Sequence, residues 1–231
     1  MPKNKESIHY KGEGAHGKAL GSEEIANTLR RRIADQSILP GSRLQEARIA
    51  EEFNVSRAVA REVLGVLERR ELIERIPNRG AIVTRLDRDE VYAIFDVREV
   101  LEGMCVRLAT KRAPRSTWEP FVRRFGAEMK ATIEAGELAE YIDALEELRA
   151  AQIQWSGNHF ASSFLDLIFD KARVIARRVT ILPGRAETGR VMHIEMLEKM
   201  IAGDAGGAEE IKREIIRSAR LCLEKYEVFV I

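Results

Sequence analysis

The sequence is poor in the residues that mark several special classes of protein. It holds only two cysteines, Cys105 and Cys222, among 231 residues, which excludes a disulfide-stabilised scaffold. Both lie in apolar helical patterns far apart in the sequence, so we expect buried free thiols. No run of about 18 apolar residues occurs, which excludes an ordinary transmembrane helix. The formal net charge of +1 excludes a polycation that binds nucleic acid through bulk charge alone.

The composition that remains is typical of a helix-rich globular protein. Hydrophobic residues make up 45% and charged residues 32% of the chain, while aromatic residues reach only 6%. Residues 1–18 are polar and have neither periodicity nor the apolar core of a signal peptide. We therefore expect a flexible arm at 1–18, in a cytoplasmic protein.

Residues 19–86 have the pattern of three helices followed by a small β-hairpin. The first helix is predicted to have Ser22 as its N-cap and to bury Ile25, Leu29 and Ile33. The elements predicted after it are a helix over about 45–53, a helix over about 57–70, and two β-prone segments, 72–76 and 81–85, joined by a turn at 77–80. This order of elements is that of a winged helix-turn-helix.

The strongest functional signal is the segment Asn54-Val-Ser-Arg-Ala-Val-Ala-Arg-Glu-Val-Leu64. It predicts a tight turn, an N-cap at Ser56 and then a helix. Apolar residues recur in this helix at the spacing of one buried face, at Ala60, Val63, Leu64 and Leu67. Arg57 and Arg61 lie on the opposite face, one turn apart and near the helix start. Two guanidinium groups so placed can reach phosphates and guanine edges together, which favours DNA binding over catalysis.

From Asp87 onward the sequence has only long amphipathic helical patterns. Asp87 or Asp89 can cap the first helix, and Pro114 ends it. The later segments lie at about 116–135, 137–156, 158–182, 186–202 and 205–229. The sequence therefore predicts a mainly α protein, with a winged helix-turn-helix domain at 19–86 and an all-α bundle of about six helices at 87–231.

Both parts resemble one family of bacterial proteins. Matching motifs in the first part are Ile38-Leu-Pro-Gly-Ser-Arg-Leu44, Val55-Ser-Arg57, Arg61-Glu-Val-Leu64 and Asn78-Arg-Gly-Ala81 with Val83, which resemble the GntR family of transcription regulators. In the second part Arg98-Glu-Val-Leu-Glu102, Ser156-Gly-Asn158 and His193 with Gly203-Asp204 resemble its FadR-like (FCD) branch. The resemblance implies a homodimer that binds a palindromic operator in double-stranded DNA, usually as a repressor, at the bacterial nucleoid. It also implies an effector-binding helical domain, here for a small carboxylate, and no contact with a membrane.

The resemblance further implies which residues contact DNA. These are Ser56, Arg57, Ala58 and Arg61 of the recognition helix, Arg79 and Gly80 at the wing tip, and Arg48 in the short helix before the turn. The chain departs from the usual pattern at Ala58-Val-Ala60, where Thr-Pro-Val is common, and at Glu71, where glycine is common. An acidic residue lacks the freedom of glycine at positive φ. We therefore expect a different operator preference or turn geometry, with the same mode of docking.

Many members of this branch hold a divalent cation with one carboxylate and three histidines. The matching positions in this chain are Leu145, Arg149, His193 and Ile215. Because one ligand of four does not define a specific metal site, no metal and no other cofactor is expected. A divalent metal bound at His193 is the less favoured alternative. His159 follows Asn158 at a turn and is expected at the surface.

Arg149 offers another way to hold an acidic effector. A guanidinium group carries a fixed charge and binds a carboxylate through two hydrogen bonds. We therefore predict an effector site at Arg149 and His193, with Arg98 and Glu146 as further polar residues. The alternative is that Arg149 pairs with a neighbouring acid such as Glu146 and the domain senses nothing. Similarly, Arg98 and Glu102 form either a surface pair or part of a sensor core.

Two other classes of function are weaker alternatives. An enzyme is not expected, because the chain has no His-Glu-x-x-His pattern, no glycine-rich phosphate loop and no nucleophile beside a suitable base. A module that binds protein through the winged helix fits less well, because Arg57, Arg61 and Arg79 together favour phosphate. Structural roles are expected for Trp118, Trp155, Phe160, Phe164 and Phe169 in the core or pocket lining. Arg177-Arg178 can face either the pocket or solvent, and solvent is favoured.

Overall fold

A computed structural model describes residues 21–76 and 80–225. Its N-terminal part contains α1 (Ser22–Ala34), β1 (Arg43–Leu44), α2 (Glu46–Glu52), α3 (Arg57–Arg69), β2 (Ile73–Ile76) and β3 (Gly80–Val83). The part that follows contains α4 (Arg88–Arg112), a short 3-10 turn (Arg115–Thr117), α5 (Glu119–Arg124), α6 (Ala127–Glu134), α7 (Ala139–Ser156), α8 (His159–Leu167), α9 (Phe169–Thr180), α10 (Arg185–Ala202) and α11 (Ala205–Glu224). The predicted fold class, a winged helix-turn-helix followed by a helical bundle, is confirmed. The predicted arm at 1–18 lies outside the described residues.

The recognition helix α3 forms as its sequence predicts. The Ser56 hydroxyl caps the helix and accepts a hydrogen bond from the backbone N–H of Val59 at 3.3 Å. The apolar stripe of α3 is buried in one cluster with residues of α1, α2 and the sheet. Since this packing fixes one side of the helix, the opposite side, with Arg57 and Arg61, is left exposed to solvent.

Helix α1 begins where the sequence predicts, but its cap is different. The N-cap is Gly21, whose N–H donates to Oε2 of Glu24 at 2.9 Å. Ser22 instead donates its hydroxyl to Glu62 of α3 at 2.9 Å. The prediction that Ser22 is the N-cap is therefore wrong, because Ser22 is the first helical residue and its hydroxyl is engaged by Glu62.

The sheet has one strand more than the sequence predicts. Its strand order is β1-β3-β2, with both pairs antiparallel, and β1 pairs Arg43 with Ile82 and Leu44 with Ala81. Strand β1 is too short to show the alternation by which strands are recognised. It ties the chain that leads into α2 to the wing strand β3, and so holds the helix-turn-helix beside the wing.

The described helical part has eight α-helices, because two of the six predicted segments are divided. The first division falls at Gly126, between α5 and α6, where a Cβ would lie 2.9 Å from the carbonyl oxygen of Arg123. The second falls at Ile168, between α8 and α9, where neither glycine nor proline marks it. Other boundaries agree with the sequence, since Asp87 caps α4 and α4 ends before Pro114.

Burial of the aromatic residues follows the prediction only in part. Trp118 is fully buried, and Phe169 lines a cavity described below. Phe160 and Phe164 of α8 are 64% and 55% exposed, and Trp155 near the end of α7 is 39% exposed. The core or pocket role predicted for these three is wrong, because their side of α7 and α8 faces away from the bundle. A surface of this kind is typical of a contact with another molecule.

The two cysteines are free thiols, as predicted. Cys105 is buried as expected, whereas Cys222 is only half-buried. The exposed position of His159 also agrees with the sequence. Within 21–76 and 80–225, no helix combines the length and the apolar character needed to cross a lipid bilayer.

Helix α9 joins the winged helix-turn-helix to the bundle through apolar contacts and ion pairs. Ala34, at the end of α1, lies in one buried apolar cluster with Ala172 and Ile175 of α9. Arg30 of α1 donates from Nε to Oδ2 of Asp170 at 2.8 Å, and both side chains are largely buried. The end of α1 is therefore packed into the core of the second part.

A second set of ion pairs reinforces this junction. The Lys171 ammonium lies 2.6 Å from a carboxylate oxygen of Glu71 and 2.6 Å from one of Glu90. Glu71 precedes the wing strand β2 and keeps a φ of 56°, which places it in the left-handed region that glycine usually occupies. Glutamate at this position, where the family commonly has glycine, thus keeps the turn conformation. It also adds an ion pair with Lys171 of α9.

Candidate DNA-binding surface and effector cavity

The outward face of α3 carries the two arginines that the sequence singles out. Arg57 is exposed, and the Arg61 side chain is 66% exposed. Arg61 pairs with Glu46 at the start of α2 through two hydrogen bonds of 2.9 and 3.0 Å. The hydrogen bond with Arg61 holds the pKa of Glu46 below its ordinary value. The Arg61 guanidinium is therefore already oriented in the free protein.

The other predicted DNA contacts are placed as follows. Arg48 and Ala58 are exposed on α2 and α3, and the Ser56 hydroxyl is engaged as the helix cap. Gly80 is exposed at the start of β3 with a φ of 80°. Arg79 lies outside the described residues.

Two further arginines of this surface are missed by the sequence reasoning. Arg43 of β1 and Arg75 of β2 line a shallow groove together with Glu46 and Gly80. The Arg43 side chain lies 3.5 Å from the position that a Cβ on Gly80 would occupy. The sequence gives no signal for Arg43, because its closeness to the wing depends on the unpredicted strand β1.

A cavity of ≈ 110 Å³ lies among α4, α7, α9, α10 and α11. All four predicted effector residues line it: Arg98, Glu146, Arg149 and His193. The cavity also brings together side chains that the sequence reasoning did not propose as effector contacts, namely Tyr141, Arg173, Arg177, Arg185 and Lys212. Their common location could not be read from spacing, because they come from four separate helices. The prediction that Arg177 faces solvent is wrong, because α9 turns it toward the cavity.

Three cations surround one buried carboxylate in the cavity wall. Glu102, whose side chain is 2% exposed, lies 2.7 Å from Arg98 Nε, 3.0 Å from Arg149 Nε and 2.8 Å from Lys212 Nζ. Burial alone would raise the pKa of Glu102, but the charges of Arg98, Lys212 and Arg149 outweigh it and hold the pKa well below the ordinary value. We call these four residues, Arg98, Glu102, Arg149 and Lys212, the Glu102 cluster.

The Glu102 cluster identifies the acid that pairs with Arg149. Arg149 does pair with an acid, but the partner is Glu102 of α4, whereas Glu146 pairs with Arg173 of α9 at 2.5 Å. The pairing of Arg149 with Glu146 is therefore wrong. Arg98 and Glu102 lie in the cavity wall and not in an exposed surface pair. The Arg149 guanidinium also stacks over the Phe169 ring, at 5.1 Å from its centroid, and Nη2 of Arg149 is buried without a hydrogen-bond partner among the described residues.

The residues present do not fit the divalent metal site of the family. Leu145, Arg149, His193 and Ile215 do line one cavity, but His193 alone among them can ligate a metal. The positive charges of Arg149 and Lys212 stand where a divalent cation would have to bind, and both would repel it. Within the described chain, no group of three or more His, Cys, Asp or Glu side chains could hold a metal ion.

His193 faces the cavity as a neutral imidazole. Burial and the nearby positive charges of Lys212 and Arg185 lower its pKa to about 3. Nδ1 lies 2.6 Å from the carbonyl oxygen of Gly189, which can only accept, so Nδ1 carries the proton and Nε2 is left as an acceptor. The ring stacks on Phe125 with centroids 5.8 Å apart. His193 therefore offers the cavity a hydrogen-bond acceptor and no charge.

Comparison with known proteins assigns both parts of the chain. A profile of the bacterial regulatory proteins of the gntR family matches residues 21–83, and a profile of the FCD domain matches residues 93–218. The structure of E. coli McbR/YncC superposes with a TM-score of 0.74 at 18% identity, over 89% of this chain and 98% of that chain, and so has the same fold.

Two relatives match shorter regions. The HTH-type transcriptional regulator YdhC of Bacillus subtilis (strain 168) is 26% identical over 147 residues, which cover 64% of this chain and 66% of that protein. The gluconate operon transcriptional repressor of the same strain is 40% identical over 85 residues, which cover 37% of this chain and 35% of the repressor. The chain thus spans less than two thirds of the length of either relative. Because the FCD profile covers more than half of the chain and the gntR profile precedes it, this protein belongs to the GntR family of bacterial regulatory proteins, in the branch with an FCD domain.

Proposed function

We propose that the protein is a transcription regulator that binds operator DNA through α3 and the wing, and that a small carboxylate in the cavity controls this binding. The outward face of α3 carries the proposal, because it exposes Arg57 and Arg61 one turn apart on a helix whose back is buried. The first turns of a recognition helix are the part that reaches base edges in the major groove. Arg43 and Arg75 add positive charge between this helix and the wing.

Control of DNA binding by a small anion is supported by the cavity. The buried Nη2 of Arg149 has no hydrogen-bond partner among the described residues, and Lys212 lies beside it in the Glu102 cluster. A ligand carboxylate would satisfy Arg149 through a charge-assisted hydrogen bond, and the Nε2 acceptor of His193 could bind a hydroxyl of the same ligand. Because the gluconate operon relative is named a transcriptional repressor, we propose that this protein also represses, and that the effector weakens its binding to DNA.

A homodimer would place two recognition helices on one palindromic operator, about one helical turn apart. The apolar face of α8 favours a second copy as its partner. Phe160, Phe164 and Leu167 recur there at the spacing of one helix face, and all three are more than half exposed. Burial of such a face between two copies would remove it from water.

Helix α9 offers the route from the cavity to the DNA-binding part. One of its sides lines the cavity with Arg173 and Arg177, while Asp170 holds Arg30 of α1. Arg173 and Arg177 also lie 3.6 and 3.7 Å from Oδ1 of Asp35, the residue that ends α1. An anion in the cavity would attract the same two guanidinium groups away from Asp35. We propose that this competition reorients α1 and the helices packed on it.

The direct test of the proposed function is fluorescence anisotropy with labelled DNA from upstream of the gene, at two salt concentrations. We expect tight binding whose affinity falls steeply with salt. The double variant Arg57→Ala/Arg61→Ala should bind at least about 30-fold more weakly, because each arginine contact contributes about 1–3 kcal/mol. Its salt dependence should also be shallower, because fewer counterions are released.

A matched control for this test is Arg69→Ala. Arg69 is an exposed arginine at the far end of the same helix, so the variant removes one arginine charge away from the first turns. It should retain most of the affinity. Equal affinities for the wild type and the double variant, in correctly folded protein, would rule out α3 as the DNA-reading element. An equal loss of binding per charge removed in both variants would mean that only bulk charge matters.

A further inference from the structure

We infer that the cavity contains a second anion-binding subsite at Arg185, and that the effector is a small dicarboxylate that bridges this subsite and the Glu102 cluster. The inference rests on the proposed function, in which the cavity binds an acidic effector. Beyond that function, the inference specifies that the effector carries two negative groups, and it specifies the distance between them.

Arg185 is a buried cation without an acidic partner. It is the first residue of α10, is only 8% exposed and lines the cavity. Its Nη2 donates to the carbonyl oxygen of Ile215 at 3.1 Å, whereas Nη1 is buried and has no hydrogen-bond partner among the described residues. No carboxylate of the described chain forms an ion pair with it. Since an uncompensated buried charge is strongly unfavourable, the arrangement favours an anion supplied from solution.

The charge balance of the cavity wall requires more than one negative group. Arg98, Arg149 and Lys212 share the single carboxylate of Glu102, whereas Arg185 has no carboxylate partner among the described residues. The other two arginines of the cavity wall, Arg173 and Arg177, have partners in Glu146 and Asp35. Burial lowers the pKa of Lys212 and of Arg185, so both lack sufficient compensation within the protein. A monocarboxylate would neutralise one of these excess charges and leave the others buried. A dicarboxylate would supply a partner at each end.

The two cationic centres contact α11 at different positions. Arg185 binds α11 at the carbonyl of Ile215, and Lys212 projects from the same helix three residues earlier. Three residues correspond to about 4.5 Å along a helix axis. A chain of about four or five carbons has its terminal carboxylates at a matching distance.

His193 and Tyr141, which line the same cavity, carry no negative charge that would repel such a ligand. His193 is affected by the charges of both Lys212 and Arg185, and it is neutral. Tyr141 keeps its proton, because burial raises the pKa of its hydroxyl. Gly189 leaves the space open: a Cβ there would lie 2.8 Å from the Tyr141 hydroxyl and 3.3 Å from Nη1 of Arg185. A hydroxyl donor and a guanidinium donor therefore meet at the Arg185 end.

Calorimetric titration of the full-length protein with matched pairs of acids tests this inference. The probes are succinate against butyrate and glutarate against pentanoate, which differ only in the second carboxylate. We expect one dicarboxylate to bind at least about tenfold more tightly than its monocarboxylate, because one added charge-assisted hydrogen bond contributes about 1.5 kcal/mol or more. Equal affinities within each pair would overturn the second subsite while leaving a carboxylate effector in place. Absence of binding by all four acids, in protein that binds DNA, would overturn both proposals.

Two variants assign the second subsite to Arg185. Arg185→Met should reduce the preference for the dicarboxylate to about twofold or less and leave the monocarboxylate affinity nearly unchanged. Arg190→Met is the matched control, since Arg190 is equally buried on the same helix but is paired with Glu187 and does not line the cavity. It should keep the wild-type preference. An unchanged preference in Arg185→Met would refute the assignment, and the wild-type titrations decide the inference if either variant fails to fold.

Discussion

Arginine stands in opposite environments in the two parts of this molecule. Arg57 and Arg61 of the winged helix are exposed, so water solvates their charges until DNA replaces it. Arg149 and Arg185 of the helical part are largely buried, and each keeps a guanidinium nitrogen without a hydrogen-bond partner within the described chain. An exposed guanidinium stays solvated, so it hardly lowers the stability of the folded protein, and it gives salt-dependent affinity for a polyanion. A buried one destabilises the free protein and can select a small anion of matching shape.

This difference implies that effector binding should stabilise the fold, whereas loss of the α3 arginines should leave it unchanged. A ligand that binds only the folded state raises its stability by about 2.7 kcal/mol at a hundredfold excess over Kd. Substitutions at exposed positions usually change stability by about 0.5 kcal/mol or less. Four predictions, ordered from the largest effect to the smallest, test the contrast.

The largest effect is expected at the centre of the Glu102 cluster. Glu102→Gln removes the one carboxylate that Arg98, Arg149 and Lys212 share, so it should lower the free energy of unfolding by about 3–5 kcal/mol. Urea denaturation measures the change. Glu62→Gln, at an exposed position on α3, is the control and should cost far less. A loss below about 1 kcal/mol for Glu102→Gln would mean that the buried cations need no counter-ion.

The buried imidazole should make stability depend on pH in a defined direction. His193 has a folded pKa of about 3 against an ordinary value of 6.5, so below pH 6.5 the unfolded chain binds a proton that the folded chain does not. Its contribution to stability is therefore lost as the pH falls from 6.5 toward 3. Between pH 6 and pH 5 the loss should be about 1 kcal/mol.

The control for this pH dependence is His193→Gln, which has no titrating group. Denaturation curves at pH 5, 6 and 7 should show a smaller loss of stability on acidification in the variant than in the wild type. An identical dependence in both proteins would show that His193 is protonated as easily in the folded chain as in the unfolded one.

A smaller effect is expected at the contact between the two regions. Asp170→Asn weakens the ion pair of α9 with Arg30 of α1 and should reduce the influence of the effector on operator affinity by about 1 kcal/mol or less, without changing ligand-free affinity. Asp166→Asn is the control, because Asp166 is an exposed residue of α8 that pairs with Arg70. Anisotropy titrations with and without effector supply the comparison. Equal effector responses in the two variants would count against the route through α9.

The smallest effect is expected at Glu71, which keeps a φ of 56°. Glycine adopts this conformation without strain, so Glu71→Gly should be more stable than Glu71→Ala by about 0.5 kcal/mol, although both lose the contact with Lys171. Thermal unfolding of the pair gives the difference. The reverse order would indicate that the ion pair and not the backbone determines the preference at this position.

The sequence predicts the DNA-binding part better than the cavity, and the reason is the range of the interactions. Helix α3, its Ser56 cap and its exposed arginines follow from spacing within about four turns of one helix. Arg149 and His193 could be proposed only through the family resemblance. Arg185 and Lys212 could not be proposed at all, because only the packing of separate helices brings them into the cavity with Glu102.

The errors of the sequence reasoning have the same origin. Strand β1 exists through its pairing with β3, and Phe160 and Phe164 are exposed because α8 packs through its other side, at Ala161 and Leu165. A hydrophobic pattern shows that one face of a helix is apolar. It does not show whether that face is buried by other residues of the same chain. The apolar side of α8 is therefore a feature that only the structure distinguishes from core.

The most direct test of the account is the operator affinity of wild type and Arg149→Met, each measured with and without a saturating carboxylate identified by calorimetry. We predict that the effector weakens operator binding of the wild type by about 5- to 150-fold. In Arg149→Met the ligand-free affinity should be retained and the response to the same acid lost. A carboxylate that binds the wild-type cavity and leaves its operator affinity unchanged would contradict the claim that the buried cations of one part control the exposed cations of the other.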